Sequence, residues 1–368
     1  MSENGAAAGL TLTIDLGALA RNWTRLAARA APAECAAVVK ADAYGIGIEH
    51  AVPALSAAGC RNFFVALPAE AVRVRAVAAT ATVYVLGGFF SEAAETYLAS
   101  GIRPVLNHPD ELEAWIRTGG GRPAALHVDT GMNRLGFFPE DALALAGSQR
   151  LSDAGVVLLM SHLACADQPG HPKNADQLAL FKRIRERFGE LPASFANSHG
   201  IALGSDYHFD IVRPGIALYG GARAMDPEMD VVVTAAARVL QVRRAAAGQT
   251  VGYGATQKLA RTSRLAILAA GYADGYHRAA SASGERPGAA VFIGGRRAPL
   301  AGRISMDLMA IDVTNIAARI RPGDSAELFG PNIPVEEVAA AAGTISYELL
   351  THLGRRAERF YINAPGPR

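Results

Sequence analysis

The stretch Ala37-Val38-Val39-Lys40-Ala41-Asp42-Ala43-Tyr44-Gly45 puts a lysine at the end of an apolar, β-branched run, with a tyrosine four residues on and a glycine behind it. An apolar run without alternation reads as a parallel strand buried on both faces. A lysine at its end has two readings. Its stem can lie along the rim of the sheet while the ammonium reaches water. Alternatively the ammonium is desolvated, its pKa falls, and the free amine becomes a nucleophile able to form a Schiff base. Tyr44 and Gly45 suit close contact with a phosphate.

Outward from this run, similar ones recur at 36–41, 62–67, 82–87, 103–107, 124–130, 155–163, 195–199 and 210–219. Amphipathic helical stretches separate most of them. In 174–188, Leu178, Phe181 and Ile184 repeat at helical spacing. In 109–117, Pro109 and Asp110 open a helix over Leu112 and Ile116. Eight β/α units in about 200 residues predict a TIM (β/α)8 barrel. A doubly wound sheet is the alternative, but no GxGxxG follows the first strand. After residue 228 the pattern changes to short β-rich runs split by glycine, with a helix at 334–342. The expected organisation is a barrel over 12–228 and a mostly β C-terminal domain over 229–368. An N-terminal strand (segment 1–11, or the run 11–15) is expected to join that second domain.

The composition excludes several classes. Half of the 368 residues are apolar and 19% are charged, which supports a sizeable core. Lys plus Arg is 36 against 34 for Asp plus Glu, a net charge of +2 with no basic block. No nucleic-acid partner is expected from that balance. Cys35, Cys60 and Cys165 form no CxxC and are odd in number, which fits a reducing cytosol. The start carries no basic segment followed by an apolar one, and no run approaches ~20 apolar residues. A cytoplasmic protein without a membrane segment is expected. The histidines show neither HxxxH nor cysteine-paired spacing, so no metal is expected.

In a barrel of this kind functional groups lie at the C-terminal ends of the strands. Reading those ends in order gives Lys40, Arg134, His162, Asn197, Ser198 and Arg213, followed by Gly215 and Ile216. Any one of them could serve a salt bridge, a core hydrogen bond or a loop turn. Six polar groups at one end of one barrel form a constellation.

Those residues sit in segments that resemble a known family. VVKADAYGIG (38–47), HVDTGMNRLG (127–136), VRPGIALYG (212–220), VGYGAT (251–256), GYADG (271–275), GRISMD (302–307) and TISYELL (344–350) are similar, in order, to the motifs of alanine racemases. These are pyridoxal-phosphate enzymes of the barrel type, and the resemblance spans nearly the whole chain. It implies interconversion of L- and D-alanine by two bases, supplying D-alanine for peptidoglycan or serving alanine catabolism. Lys40 would hold pyridoxal 5'-phosphate as a Schiff base. Tyr44, Tyr347, Ser198 and the backbone at Gly215 and Ile216 would grip the phosphate, with Asn197 and His162 in the same shell. Arg213 would face the pyridine nitrogen, where its pKa above ~12 keeps it from protonating the ring.

The resemblance also implies that Tyr253 is the second base, reached through a chain from His162 to Arg213. Tyr253 would come from the partner subunit of a homodimer with shared sites. Arg134 would bind the substrate carboxylate, with Met306 and Tyr272 of the partner completing the pocket. Asp274 and Asp307 read as local turn formers. One position departs from the pattern. Many members carry a modified lysine two residues before the Asp of DTGM, and here that residue is His127. What orients Arg134 is therefore left open, between another anion and neighbouring groups.

Other readings are weaker. Non-catalytic pyridoxal-phosphate carriers have a similar barrel but lack the second domain that holds Tyr253. Barrel decarboxylases of diamino acids place a cysteine in their C-terminal part, whereas all three cysteines here precede residue 166. A broader amino-acid or serine racemase stays open, because that choice turns on roughly 1–3 kcal/mol of pocket packing.

Overall fold

Every residue of the strand Asn62–Val65 is buried, as a parallel sheet covered on both faces requires. Strands of this kind build one of the two compact units of the chain, Leu19–Leu218. The structure is a computed structural model that describes residues 8–223 and 226–364. Seven strands pair in parallel and in chain order: Ala37–Val38, Asn62–Val65, Thr82–Val85, Arg103–Leu106, Ala124–His127, Val156–Met160 and Ala193–Ser194. The strand Ile211–Val212 closes the ring. It pairs in parallel with Glu34–Cys35. The Ala36 and Val38 N–H groups donate to the Val212 and Pro214 carbonyls, and the Arg213 N–H donates to the Ala196 carbonyl. The result is the expected (β/α)8 barrel.

Three strand ends differ from the sequence expectation, each for a local reason. The run 195–199 is not strand, because the strand there, Ala193–Ser194, ends just before it. The Asn197 side chain accepts from the Gly200 N–H at 2.9 Å and caps a short helix, Ser198–Ala202. The run 210–219 is strand only at Ile211–Val212. Pro214 has no N–H to give, and the chain turns where Leu218 N–H donates to the Gly215 carbonyl. The run 36–41 ends at Val38. Ala41, Asp42, Ala43 and Tyr44 all take φ between 52° and 56°, so the lysine opens a left-handed turn. That conformation costs an L-residue roughly 1–2 kcal/mol. Local hydrogen bonds hold it: Gly45 N–H to the Ala41 carbonyl, Gly47 N–H to the Asp42 carbonyl, and Ile48 N–H to the Asp42 carboxylate.

The other unit combines the described residues up to Ala18 with those from Tyr219 onward. Its axis is the long strand Val233–Ala245. The first half of that strand pairs antiparallel with Leu10–Asp15 and with Ser325–Phe329. A bulge between Val239 and Gln241 re-aims it, and its second half pairs with Ser263–Leu268. Leu10–Asp15 also pairs in parallel with Glu358–Ile362. Residues 1–7 of the N-terminal segment lie outside the described residues. Leu12, Ile14, Val239, Leu268 and Ile311 are fully buried in this unit. Among the described residues no helix is long and apolar enough to cross a membrane.

Candidate active site

Lys40 stands at the C-terminal end of the first barrel strand, where the left-handed turn begins. Burial lowers its pKa below the ordinary lysine value, chiefly by desolvation and next through Arg134. Glu70 opposes the shift and Arg213 adds to it. Half-buried among these charges, Lys40 fits the desolvated reading of the sequence better than that of a lysine reaching out to water. The turn is fixed from behind. Glu70 accepts from the Asp42 N–H at 3.3 Å and from the Ala66 and Leu67 N–H groups at 2.9 and 3.2 Å. Arg73 pairs with both Asp42 and Glu49.

Arg213 follows the closing strand and is buried. It donates to the Ser161 carbonyl at 2.7 Å, to the Ser194 hydroxyl, and to His162 Nδ1 at 3.3 Å, with its guanidinium 5.9 Å from the Phe64 ring centre. Desolvation lowers its pKa to about 9, below the value above ~12 expected from the sequence, and still leaves it cationic at neutral pH. A guanidinium only donates, so His162 Nδ1 must accept, and the neutral ring carries its proton on Nε2. Burial, then the charge of Arg213, drives the His162 pKa well below its ordinary value. His162 is therefore a fixed-tautomer donor at Nε2 rather than a proton acceptor.

Beside this pair lies a cradle for an oxyanion. The Ser198 hydroxyl oxygen accepts from the Gly215 N–H at 2.8 Å and the Ala217 N–H at 3.2 Å, which leaves its own O–H to donate. A Cβ at Gly215 would collide with the Tyr44 hydroxyl, so only glycine lets that phenol approach the backbone. Asn197 caps the adjoining helix with its side-chain oxygen.

His127 ends the fifth strand in the ring. Its Nδ1 lies 2.7 Å from Asn107 Oδ1. The Asn107 amide donates to the Val105 and Leu86 carbonyls, so its oxygen faces the ring and His127 Nδ1 is the donor. Arg134 is exposed on the loop that follows, and the Asp129 carboxylate together with a backbone hydrogen bond sets that loop. Asp129 accepts from the Gly131 and Met132 N–H groups at 2.7 Å each, and the Phe137 N–H returns to the His127 carbonyl.

Burial first, and Arg213 second, lower the His127 pKa from 6.5 to about 4. Above pH 6.5 neither the folded nor the unfolded chain binds this proton. Between 6.5 and about 4 only the unfolded chain does, so stability falls as the pH falls through that window. His127 alone should cost about 2 kcal/mol between pH 7.5 and 5. His162 acts in the same direction. Urea unfolding of the His127→Gln variant should show a decline smaller by that amount. An identical decline in both proteins would remove His127 as the cause.

The remaining predicted residues lie in the β unit. Tyr253 opens a short 3-10 turn after the ribbon strand Thr250–Val251, between Gly252 and Gly254, both at positive φ. Tyr272 and Met306 are brought together. Tyr272 N–H donates to the Ser305 carbonyl at 3.1 Å and Ala273 N–H to the Met306 carbonyl at 3.0 Å. Tyr253, Met306 and Tyr272 are 68%, 53% and 42% exposed, high for large apolar side chains. Asp274 does shape its turn, accepting from the Gly271 N–H, and Arg356 pairs with both Asp274 and Asp307. Tyr347 is half-buried on the helix Ser346–Thr351.

Residues 14–223 match the family described as alanine racemase, N-terminal domain, and residues 232–361 match alanine racemase, C-terminal domain. The chain belongs to the alanine racemase family. It is 51% identical to the alanine racemase of Methylobacterium nodulans, with 96% of each chain covered. It is 49% identical to the biosynthetic alanine racemase of Agrobacterium fabrum, over 97% of this chain and 95% of that protein. The crystal structure of alanine racemase from Bartonella henselae with covalently bound pyridoxal phosphate matches with a TM-score of 0.90 at 41% identity. That match covers 96% of this chain and all of the other.

Within this alanine racemase fold several residues around the site escaped the sequence reading. Asn107 ends the run 103–107 and Ser161 immediately precedes His162, so a stricter reading of strand ends would have found both. Ser161 also joins a buried chain, with its hydroxyl 2.8 Å from that of Thr130, which in turn accepts from Gln177. Gln177 additionally donates to the His162 carbonyl at 2.9 Å. Glu70 carries only the signal of an acid in the first turn of a helix after Pro68.

Proposed function

We propose that the chain is a pyridoxal 5'-phosphate-dependent alanine racemase that interconverts L- and D-alanine with two bases. The observation that carries this reading is Lys40, a desolvated lysine crowded by Arg134 and Arg213 at the mouth of a barrel. The residues fit the cofactor. The Ser198 O–H, the Tyr44 phenol and the glycine-only approach at Gly215 suit its phosphate, and Lys40 has the free amine its aldehyde needs. Bound there, pyridoxal phosphate supplies the electron sink that acidifies the substrate Cα–H.

The chain's own residues divide the remaining work. Arg134 orients the substrate carboxylate with its planar fork. Arg213 would present a fixed cation, not a carboxylate, to the cofactor's pyridine nitrogen. Lys40 Nζ removes or returns the Cα proton on one face, and the Tyr253 phenol on the other. A tyrosine has a pKa near ~10 and needs help to act at neutral pH. The His162 Nε2–H, held by Arg213, supplies it by donating to the phenolate oxygen.

The reading includes a cytoplasmic homodimer in which the partner's Tyr253, Tyr272 and Met306 complete each site. The exposure of these side chains supports it. D-alanine for peptidoglycan, or entry of alanine into catabolism, are the uses such an activity serves. The test is purification with the cofactor, followed by chiral analysis of products from L- and D-alanine and borohydride trapping. Racemisation in both directions, with the reduced adduct mapped to Lys40, is expected. No conversion of either enantiomer, or a label on another lysine, would overturn the assignment.

A further inference from the structure

His277, Glu348 and His352 meet in the β unit, outside every residue assigned above. His277 Nε2 and His352 Nδ1 are 2.8 Å apart, and Glu348 Oε2 lies 3.8 Å from His277 Nδ1. One ligand atom from each residue falls within 4.8 Å of the other two, the only such trio among the described residues. Seventy residues of sequence separate His277 from Glu348, so no spacing motif could reveal it.

The framework beneath the trio is rigid. The Gly354 N–H donates to the Asp274 carbonyl at 3.0 Å, which ties the His277 segment to the end of the helix that carries Glu348. Gly275, at φ 96°, passes so close to the His352 carbonyl that any Cβ there would collide with it. The Thr344 hydroxyl donates to Glu348 Oε2 and orients the carboxylate. Ligands fixed by backbone packing, with a hydrogen bond holding the carboxylate, are what a metal site requires.

We propose that His277, Glu348 and His352 form a binding site for a divalent first-row transition metal, with zinc as its natural occupant. Two imidazoles and one carboxylate are a zinc donor set, and a water completes four-coordination. In the metal-free protein one proton lies between the two ring nitrogens. A metal replaces it. Zn–N bonds of about 2.0–2.1 Å at tetrahedral angles place the nitrogens about 3.3 Å apart. The exposed His352 ring can rotate by that half ångström, and the exposed Glu348 carboxylate swings in from within 4.8 Å. Hard cations such as Mg2+ prefer all-oxygen shells and do not fit. Zinc here clips the 272–277 segment to the helix Ser346–Thr351.

The experiment uses the untagged, cofactor-loaded full chain, stripped with EDTA and dialysed against zinc chloride at pH 7.5. About one zinc per chain should be retained at micromolar free metal, with a rise in Tm. His277→Ala and His352→Ala should each weaken that binding by roughly tenfold or more, and Glu348→Gln by less. Their far-UV spectra and metal-free Tm should match the parent, because all three side chains are partly exposed. Zinc retained equally by the variants, no retention by the parent, or displacement by millimolar Mg2+ would each overturn the proposal.

Discussion

Replacing Lys40 by alanine should abolish racemisation of both L- and D-alanine and remove the absorption near ~420 nm that marks a lysine-bound cofactor. On the proposed assignment two functions disappear together. The covalent anchor is lost, and so is the base on one face of the substrate, a loss that alone is worth about 10²–10⁴ in rate. Because the anchor and the base are one atom, Lys40 Nζ, the combined loss should exceed roughly 10⁴. The fold should survive. Lys40 is a half-buried cation whose charge is opposed by Arg134 and Arg213, so its removal relieves repulsion. A Tm at or above that of the cofactor-free parent, with no activity and no band, is the expected combination. A variant that keeps a borohydride-trappable adduct would show that another lysine holds the cofactor. A variant that loses activity through unfolding would show the repulsion to be unimportant.

The barrel was legible because its units are local. Each apolar run and each amphipathic helix is short, and eight of them in succession leave few arrangements. Lys40, Arg213 and His162 were legible as strand-end residues. What held them was not. The left-handed turn at Ala41–Tyr44 contains no glycine, and Ala-Asp-Ala-Tyr has no preference for positive φ. Its local hydrogen bonds are joined by Glu70 and Arg73, some thirty residues away, which brace it from behind. Similarly, the tautomer of His162 depends on Arg213, which is distant in sequence. The departure at His127 was visible, but its partner Asn107 was not. The pair shows what a neutral histidine does at that position: it donates to an amide oxygen, while the arginine loop is held by the Asp129 carboxylate. The strand-end residues of the candidate site were readable from type and place, Tyr253 and Tyr347 only through the family resemblance, and the residues that position them were not, since their signal is a contact and not a motif.

Mixing Lys40→Ala subunits with Tyr253→Phe subunits, each inactive alone, should restore roughly a quarter of the parent activity. The expectation rests on the shared site of the proposed homodimer. Both bases are needed at every site, because racemisation removes a proton from one face and returns one to the other. Each parent homodimer therefore has two defective sites. In a heterodimer with shared sites, one site collects both lesions and the other collects neither. Random exchange makes about half of the dimers mixed, each with one intact site of two, hence about one quarter. The exposure of Tyr253 at 68% agrees with a side chain that acts on a neighbouring chain. Exchange is checked separately by co-purification of differently tagged subunits. Confirmed exchange with activity still at zero would place Tyr253 within the site of its own subunit, or remove it as the second base. A Tyr253→Phe protein that keeps racemising unaided would remove it outright.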